Sequence, residues 1–146
     1  MEVAKGGYRK DLKQYFRSKF EANVARYFNL RKCNWKYEPF EYCFNKIKRG
    51  QRYYKPDFIL YYEDYYYLYE VKGWFRSVDK TKLSRFKKYY PEEFARLKFI
   101  IPDKYARDKA NGEMIEFLCD NLGIDFEEIL SYKEMEKYSK LIPGWE

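Results

Sequence analysis

Three residues in the stretch YYKPDFILYYEDYYYLYEVKG have the types and spacing to do chemistry: Asp57, Glu70 and Lys72. Two carboxylates are hard oxygen donors for a small divalent cation, and a lysine beside them can hold negative charge developing on a phosphate. The β-prone runs YYKPDFILYY and YYYLYEVK flank Glu63-Asp64 and read as a hairpin. A two- or four-residue turn centred between Glu63 and Asp64 pairs positions whose numbers sum to 127, which sets Asp57 opposite Glu70. Lys72 shares their face because strand side chains alternate. Opposed β-carbons lie about 4.5–5.5 Å apart, so the two carboxylates can share one cation. A three-residue turn without a bulge would instead put them on opposite faces.

The neighbours sharpen this reading. Phe58, Ile59, Leu60, Leu68 and Val71 make the strands apolar, and like charges among them are costly unless something neutralises them. A Mg²⁺ site satisfies that demand: Asp57 and Glu70 as ligands, Lys72 positioning a water and stabilising charge on a pentacovalent phosphorus. The bland alternative is an edge-strand ion pair; Pro56 before the aspartate and Gly73 after the lysine favour the site. Glu21 is a fourth candidate, although Ser18 and Glu21 also have capping-box spacing, which accounts for a glutamate there. Arg17, Lys55, Arg76, Lys80, Lys82 and Arg85 are candidates for contacts with a DNA backbone, against the alternative of solvated surface charge. The tyrosine clusters could stack on unpaired bases but more simply supply the two faces of a sheet.

The elements that must position these groups follow from periodicity. Phe16, Phe20, Val24, Tyr27 and Phe28 have helical spacing up to Leu30, and WKYEPFEYCF alternates like a strand with Pro39 at an edge. NKIKRGQR reads as a basic loop. Leu83, Phe86 and Tyr90 place a helix over VDKTKLSRFKKYY that Pro91 ends, and RLKFIIP reads as a buried strand. GEMIEFLCDNLG reads as a helix, with Ile115, Leu118 and Leu122 inward and Gly123 as its C-terminal cap; Asp125 and Glu128 open another with capping-box spacing. The expected fold is α/β, one domain over 1–146 with a central mixed sheet flanked by helices, after a flexible basic arm over 1–13.

Composition narrows the chemistry. The net charge of +7 suits a polyanionic partner. There are no histidines, which removes any mechanism needing a His base, and three scattered cysteines without a CxxC pair argue against structural zinc. Cys33, Cys43 and Cys119 are expected as free thiols packed as small apolar groups. With no apolar leader and no run long enough to span a bilayer, a reducing, cytoplasmic location and no membrane partner are expected.

The order E…PD…ExK resembles the restriction-endonuclease-like nuclease superfamily, and within it the chain is most similar to bacteriophage endonuclease I-like Holliday junction resolvases. The resemblance runs in order through FRSKFE, WKYEPFEY, YYKPDFIL, YEVKGW, KFIIP, EFLCDNLGIDF and LIPGW, nearly the whole chain from Phe16. It implies a restriction-endonuclease-like core, with Glu21, Asp57, Glu70 and Lys72 as catalytic residues and Asp57, Glu70 and Glu21 around the metal. It also implies Mg²⁺ or Mn²⁺, hydrolysis of phosphodiesters in branched DNA such as four-way junctions, and a homodimer that exchanges N-terminal segments near Pro39 to Asn45. Glu21 of one chain would then complete the other chain's site. Two departures stand out: a longer, tyrosine-rich hairpin, and an end at Trp145-Glu146 without the family's basic tail. Other expectations on the same chemistry are a sequence- or mismatch-directed nicking or restriction enzyme, or, from another class, a non-catalytic DNA-binding subunit.

Overall fold

The computed structural model describes residues 6–146. Its centre is a five-stranded mixed sheet in the order β3 (Asn34–Tyr37), β6 (Phe58–Tyr61), β7 (Tyr66–Val71), β8 (Leu97–Ile101), β9 (Leu130–Ser131). β3, β6 and β7 run antiparallel; β7, β8 and β9 are parallel, joined by helical crossovers. β6 and β7 pair with Phe58 opposite Tyr69 and Tyr61 opposite Tyr66, the register expected from a four-residue turn. That turn closes with the Tyr62 N–H donating to the Tyr65 carbonyl at 2.8 Å.

Each face of the sheet is buried under helices, which is why FIL and FII are continuously apolar. Alternation sorts the side chains. Ile59, Leu68, Leu97, Phe99 and Ile101 face a core with Leu83 and Phe86 of α2 (Ser77–Tyr89) and Met114 of α4 (Lys109–Glu116). Phe58, Leu60, Tyr69, Val71 and Ile100 face Phe20, Val24 and Phe28 of α1 (Lys19–Leu30) and Tyr132 and Met135 of α5 (Tyr132–Glu136). Asp57, Glu70 and Lys72 share the parity of the first set, so the chain directs them to the α2 side.

Several expectations are corrected. Residues 1–5 of the predicted flexible arm lie outside the described residues, but Gly7–Arg9 (β1) pairs with Gln14–Phe16 (β2) as a hairpin. It is tied down by Asp11, which accepts from the Arg26 Nε at 2.8 Å. WKYEPFEYCF is not one strand. β3 stops at Glu38, whose φ of 46 reverses the chain, and Tyr42–Cys43 (β4) pairs instead with Tyr53–Tyr54 (β5). Pro91 does not simply end α2 but starts the short α3 (Pro91–Phe94), as its missing N–H permits. Past α4 the helix widens into a π-turn over Phe117–Asn121, and Gly123 follows at φ 73 in the expected capping place. Asp125 begins only a 3-10 turn over Phe126–Glu128, leading into β9, a strand without a sequence signal. The cysteines are free, as expected, although Cys43 is exposed rather than packed. No described helix is long and apolar enough to cross a membrane.

Candidate functional site

The β6–β7 hairpin builds the site. The Asp57 N–H donates to the Tyr69 carbonyl at 3.0 Å, and its carbonyl accepts from the Glu38 N–H at 2.7 Å, so neighbours on both sides lock its backbone. Its Oδ2 accepts from the Val71 N–H at 2.7 Å, one residue from Glu70. Glu70 is 4% exposed; the Tyr54 hydroxyl donates to its Oε1 at 2.7 Å. Lys72 Nζ stands 3.6 Å from Glu70 Oε2 and 3.2 Å from Asp79 Oδ1. Asp79 comes from the first turn of α2, where it accepts the Arg76 N–H at 2.9 Å and caps the helix. One carboxylate thus holds both the lysine and the helix that borders it.

Glu21 reaches the same neighbourhood from the start of α1. Its backbone N–H donates to Ser18 Oγ at 3.1 Å, and Ser18 Oγ donates to Glu21 Oε1 at 2.9 Å, so the capping arrangement is present. The other carboxylate oxygen accepts from the Tyr37 hydroxyl at 2.6 Å. Capping and proximity to the hairpin coexist, and the Glu21 charge acts on both Asp57 and Glu70 within one chain.

The electrostatics are those of crowded carboxylates short of positive charge. Burial pushes Glu70 up to about 7, although Lys72 and the Tyr54 hydroxyl pull the other way. Burial, reinforced by the Glu70 and Glu21 charges, holds Asp57 well above the ordinary carboxylate range. Burial likewise raises Glu21, offset in part by Tyr37 and Ser18. Burial also works to raise Asp79, but Arg76 and Lys72 outweigh it and keep Asp79 below the ordinary range. Burial disfavours the Lys72 ammonium, yet Glu70, Asp57 and Asp79 outweigh that and hold its pKa up. The lysine is therefore a fixed cation and a poor proton acceptor.

A divalent cation fits this donor set. Asp57, just before β6, and Glu70 on β7 offer hard oxygens, and a cation would offset the burial penalty and the carboxylate repulsion that together raise both pKa values. Among the described residues no group of three or more Asp, Glu, Cys or His side chains is gathered as a metal cage. Mg²⁺ commonly binds through one or two carboxylates plus substrate phosphate and water, so a pair suffices.

A cleft of about 360 Å³ opens over Asp57, Glu70 and Lys72. Of the expected DNA-contacting residues, Arg17, Lys55, Arg76 and Lys82 line it. Lys80 and Arg85 do not: they face a separate groove between α2 and α4, with Glu113 and Glu116 opposite. Three residues of the site escaped the sequence reading. Glu38 gathers Arg17 (2.9 Å) and Lys55 (3.2 Å) at the cleft mouth. Tyr54 and Asp79 hold Glu70 and Lys72. Their only sequence trace is position, Tyr54 three residues before Asp57 and Asp79 seven after Lys72. Compared with protein-family models, with curated proteins and with solved structures, the chain has no match.

Proposed function

We propose that the chain is a Mg²⁺-dependent, structure-selective DNA endonuclease on a restriction-endonuclease-like core, hydrolysing phosphodiesters in branched DNA such as four-way junctions. The observation that carries the reading is the meeting of Asp57 and Glu70 at one end of the hairpin, where Asp57 accepts from the Val71 N–H next to Glu70, with Lys72 beside them in a cleft lined by arginine and lysine. Binding alone needs no paired carboxylates. The choice of branched DNA rests on the sequence resemblance, and the mixed sheet flanked by helices agrees with the core that resemblance implies.

Bound between Asp57 and Glu70, Mg²⁺ would polarise the phosphate and acidify a water; Mn²⁺ is expected to substitute. In hydrolysis the water gives up a proton as its oxygen attacks phosphorus, one P–O ester bond breaks, and the leaving oxygen takes up a proton. Lys72 stabilises the negative charge that grows on the phosphoryl oxygens, held in place by Asp79 on its far side. Tyr54 orients the Glu70 carboxylate through Oε1 and leaves Oε2 toward Lys72. Arg17, Lys55, Arg76 and Lys82 hold the flanking phosphates. A homodimer with two such sites would suit paired nicks across a symmetric junction.

Purified protein, labelled four-way junction and Mg²⁺ provide the test. Paired, symmetric nicks with linear duplex largely uncut are expected. Equal cutting of linear duplex at a fixed sequence would replace the resolvase reading by a restriction-type one, and no cutting of any DNA with Mg²⁺ or Mn²⁺ would overturn the nuclease reading.

A further inference from the structure

A second cleft, of about 620 Å³, lies on the other side of Lys72, between the start of α1 and α4. It shares Lys72, Arg76 and Asp79 with the basic cleft, so the two meet at the candidate site. Their chemistry differs. The first is walled mainly by charged side chains; the second adds an apolar wall of Phe20, Val71, Trp74, Pro102 and Ala110 to a polar floor where Ser18 and Glu21 of the α1 start join the shared charged groups. A nucleic-acid strand has the same division, a charged backbone and flat apolar bases. Trp74, two residues beyond Lys72, is 61% exposed at the rim. The other tryptophans are engaged: Trp35 donates its indole N–H to Asn29 at 2.8 Å, and Trp145 stacks on Tyr132 with centroids 5.5 Å apart. Trp74 has neither kind of partner among the described residues.

We propose that this second cleft receives an unpaired nucleobase next to the scissile phosphate, with Trp74 stacking on it. The inference rests on the nuclease reading and assigns Trp74 as a determinant of structure selectivity. A base inside a duplex has both faces covered by its neighbours, so only a base freed at a branch, bulge or mismatch offers a face to the indole. The exposed hairpin tyrosines are worse placed. Tyr62 and Tyr65 stack on each other at 4.9 Å, and the length of β7 sets them about 20 Å from Lys72.

The test uses the full chain, DNA duplexes with 2-aminopurine at a single unpaired position beside the cleavage site, and Ca²⁺ in place of Mg²⁺. Binding should quench the 2-aminopurine. Trp74→Ala should abolish the quench and weaken binding of this DNA by roughly 5- to 100-fold, more than binding of fully paired duplex. Trp74→Phe should keep most of both, and unchanged thermal midpoints would show both variants folded. Unaltered quench and affinity in Trp74→Ala, or a Trp74→Phe no better than Ala, would overturn the assignment while leaving the nuclease reading intact. Wild-type protein that binds no DNA would remove both.

Discussion

Raising the pH of the metal-free protein should destabilise it, and Glu70 sets the size of the effect. Its ordinary value is 4.5 and its folded value is about 7. A carboxylate with a raised folded pKa leaves the folded state binding more protons than the unfolded one between those values. Stability therefore falls as pH rises through that window and stays low above it. A difference of about 2.5 units corresponds to about 3 kcal/mol at most. For a chain of this length that is a drop in Tm of roughly 6–12 °C. Asp57 adds to the fall in the same direction. Asp79, Asp11, Glu38 and Glu146, whose folded pKa values are lowered, act in the opposite sense only in acid, where their contribution is lost as pH falls. Calorimetric Tm measured in EDTA from about pH 5 to about pH 8.5 should show the decline. Glu70→Gln should flatten much of it, and Mg²⁺ should restore about 2.7 kcal/mol at a hundred times its Kd, at high pH above all. A flat profile, or a Glu70→Gln variant that tracks the wild type, would refute the reasoning.

Glu70→Ala should abolish cleavage, a loss of more than about a hundredfold, yet preserve or tighten junction binding measured by gel shift, because a like charge to DNA is removed. Tyr54→Phe should leave a buried carboxylate short of a hydrogen bond, cost about 1.5–3 kcal/mol in urea unfolding at high pH, and shift the acid limb of the cleavage profile upward. Glu21 acts on Asp57 and Glu70 of its own chain, so mixing Glu21→Ala with Asp57→Ala chains under conditions that reassort subunits should not rescue cleavage. Recovery of activity would show that α1 is exchanged between protomers. Arg26→Ala should destabilise by roughly 1–3 kcal/mol in denaturant titration, since it removes hydrogen bonds to Asp11 and Glu146 that tie the β1–β2 hairpin to α1 but leaves two carboxylates exposed enough to hydrate.

The hairpin that carries the site was legible because its signals are local. Alternation over YYKPDFILYY and YYYLYEVK has period two, and the turn position converts that period into a register. That register runs from Tyr61 opposite Tyr66 to Phe58 opposite Tyr69 and brings Asp57 and Glu70 to the same end of the hairpin. The Ser18–Glu21 cap, the helix over VDKTKLSRFKKYY and the buried strand KFIIP were readable for the same reason: each is specified within a few residues of itself. β1–β2 was hidden in a polar segment that looks like an arm until Arg26 and Asp11 meet across fifteen positions. β9 is two residues long and exists only because β8 offers it an edge.

What the sequence determined alone is therefore the chemical character of the molecule: paired carboxylates and a lysine on one strand face, no histidine, a positive net charge and an apolar mixed sheet to hold them. Tertiary structure decided which other groups join them. Tyr54 comes sixteen positions before Glu70 to bond it, and Asp79 turns back from α2 to hold Lys72. The bend at Glu38 brings Arg17 and Lys55 to one carboxylate, and the rotation of α2 turns Lys82 into the cleft, Lys80 toward the neighbouring groove, and Arg85 onto the Gln51 carbonyl behind the cleft wall. Such convergences depend on the packing of elements distant in sequence, and no local periodicity records how a helix is rotated on its sheet.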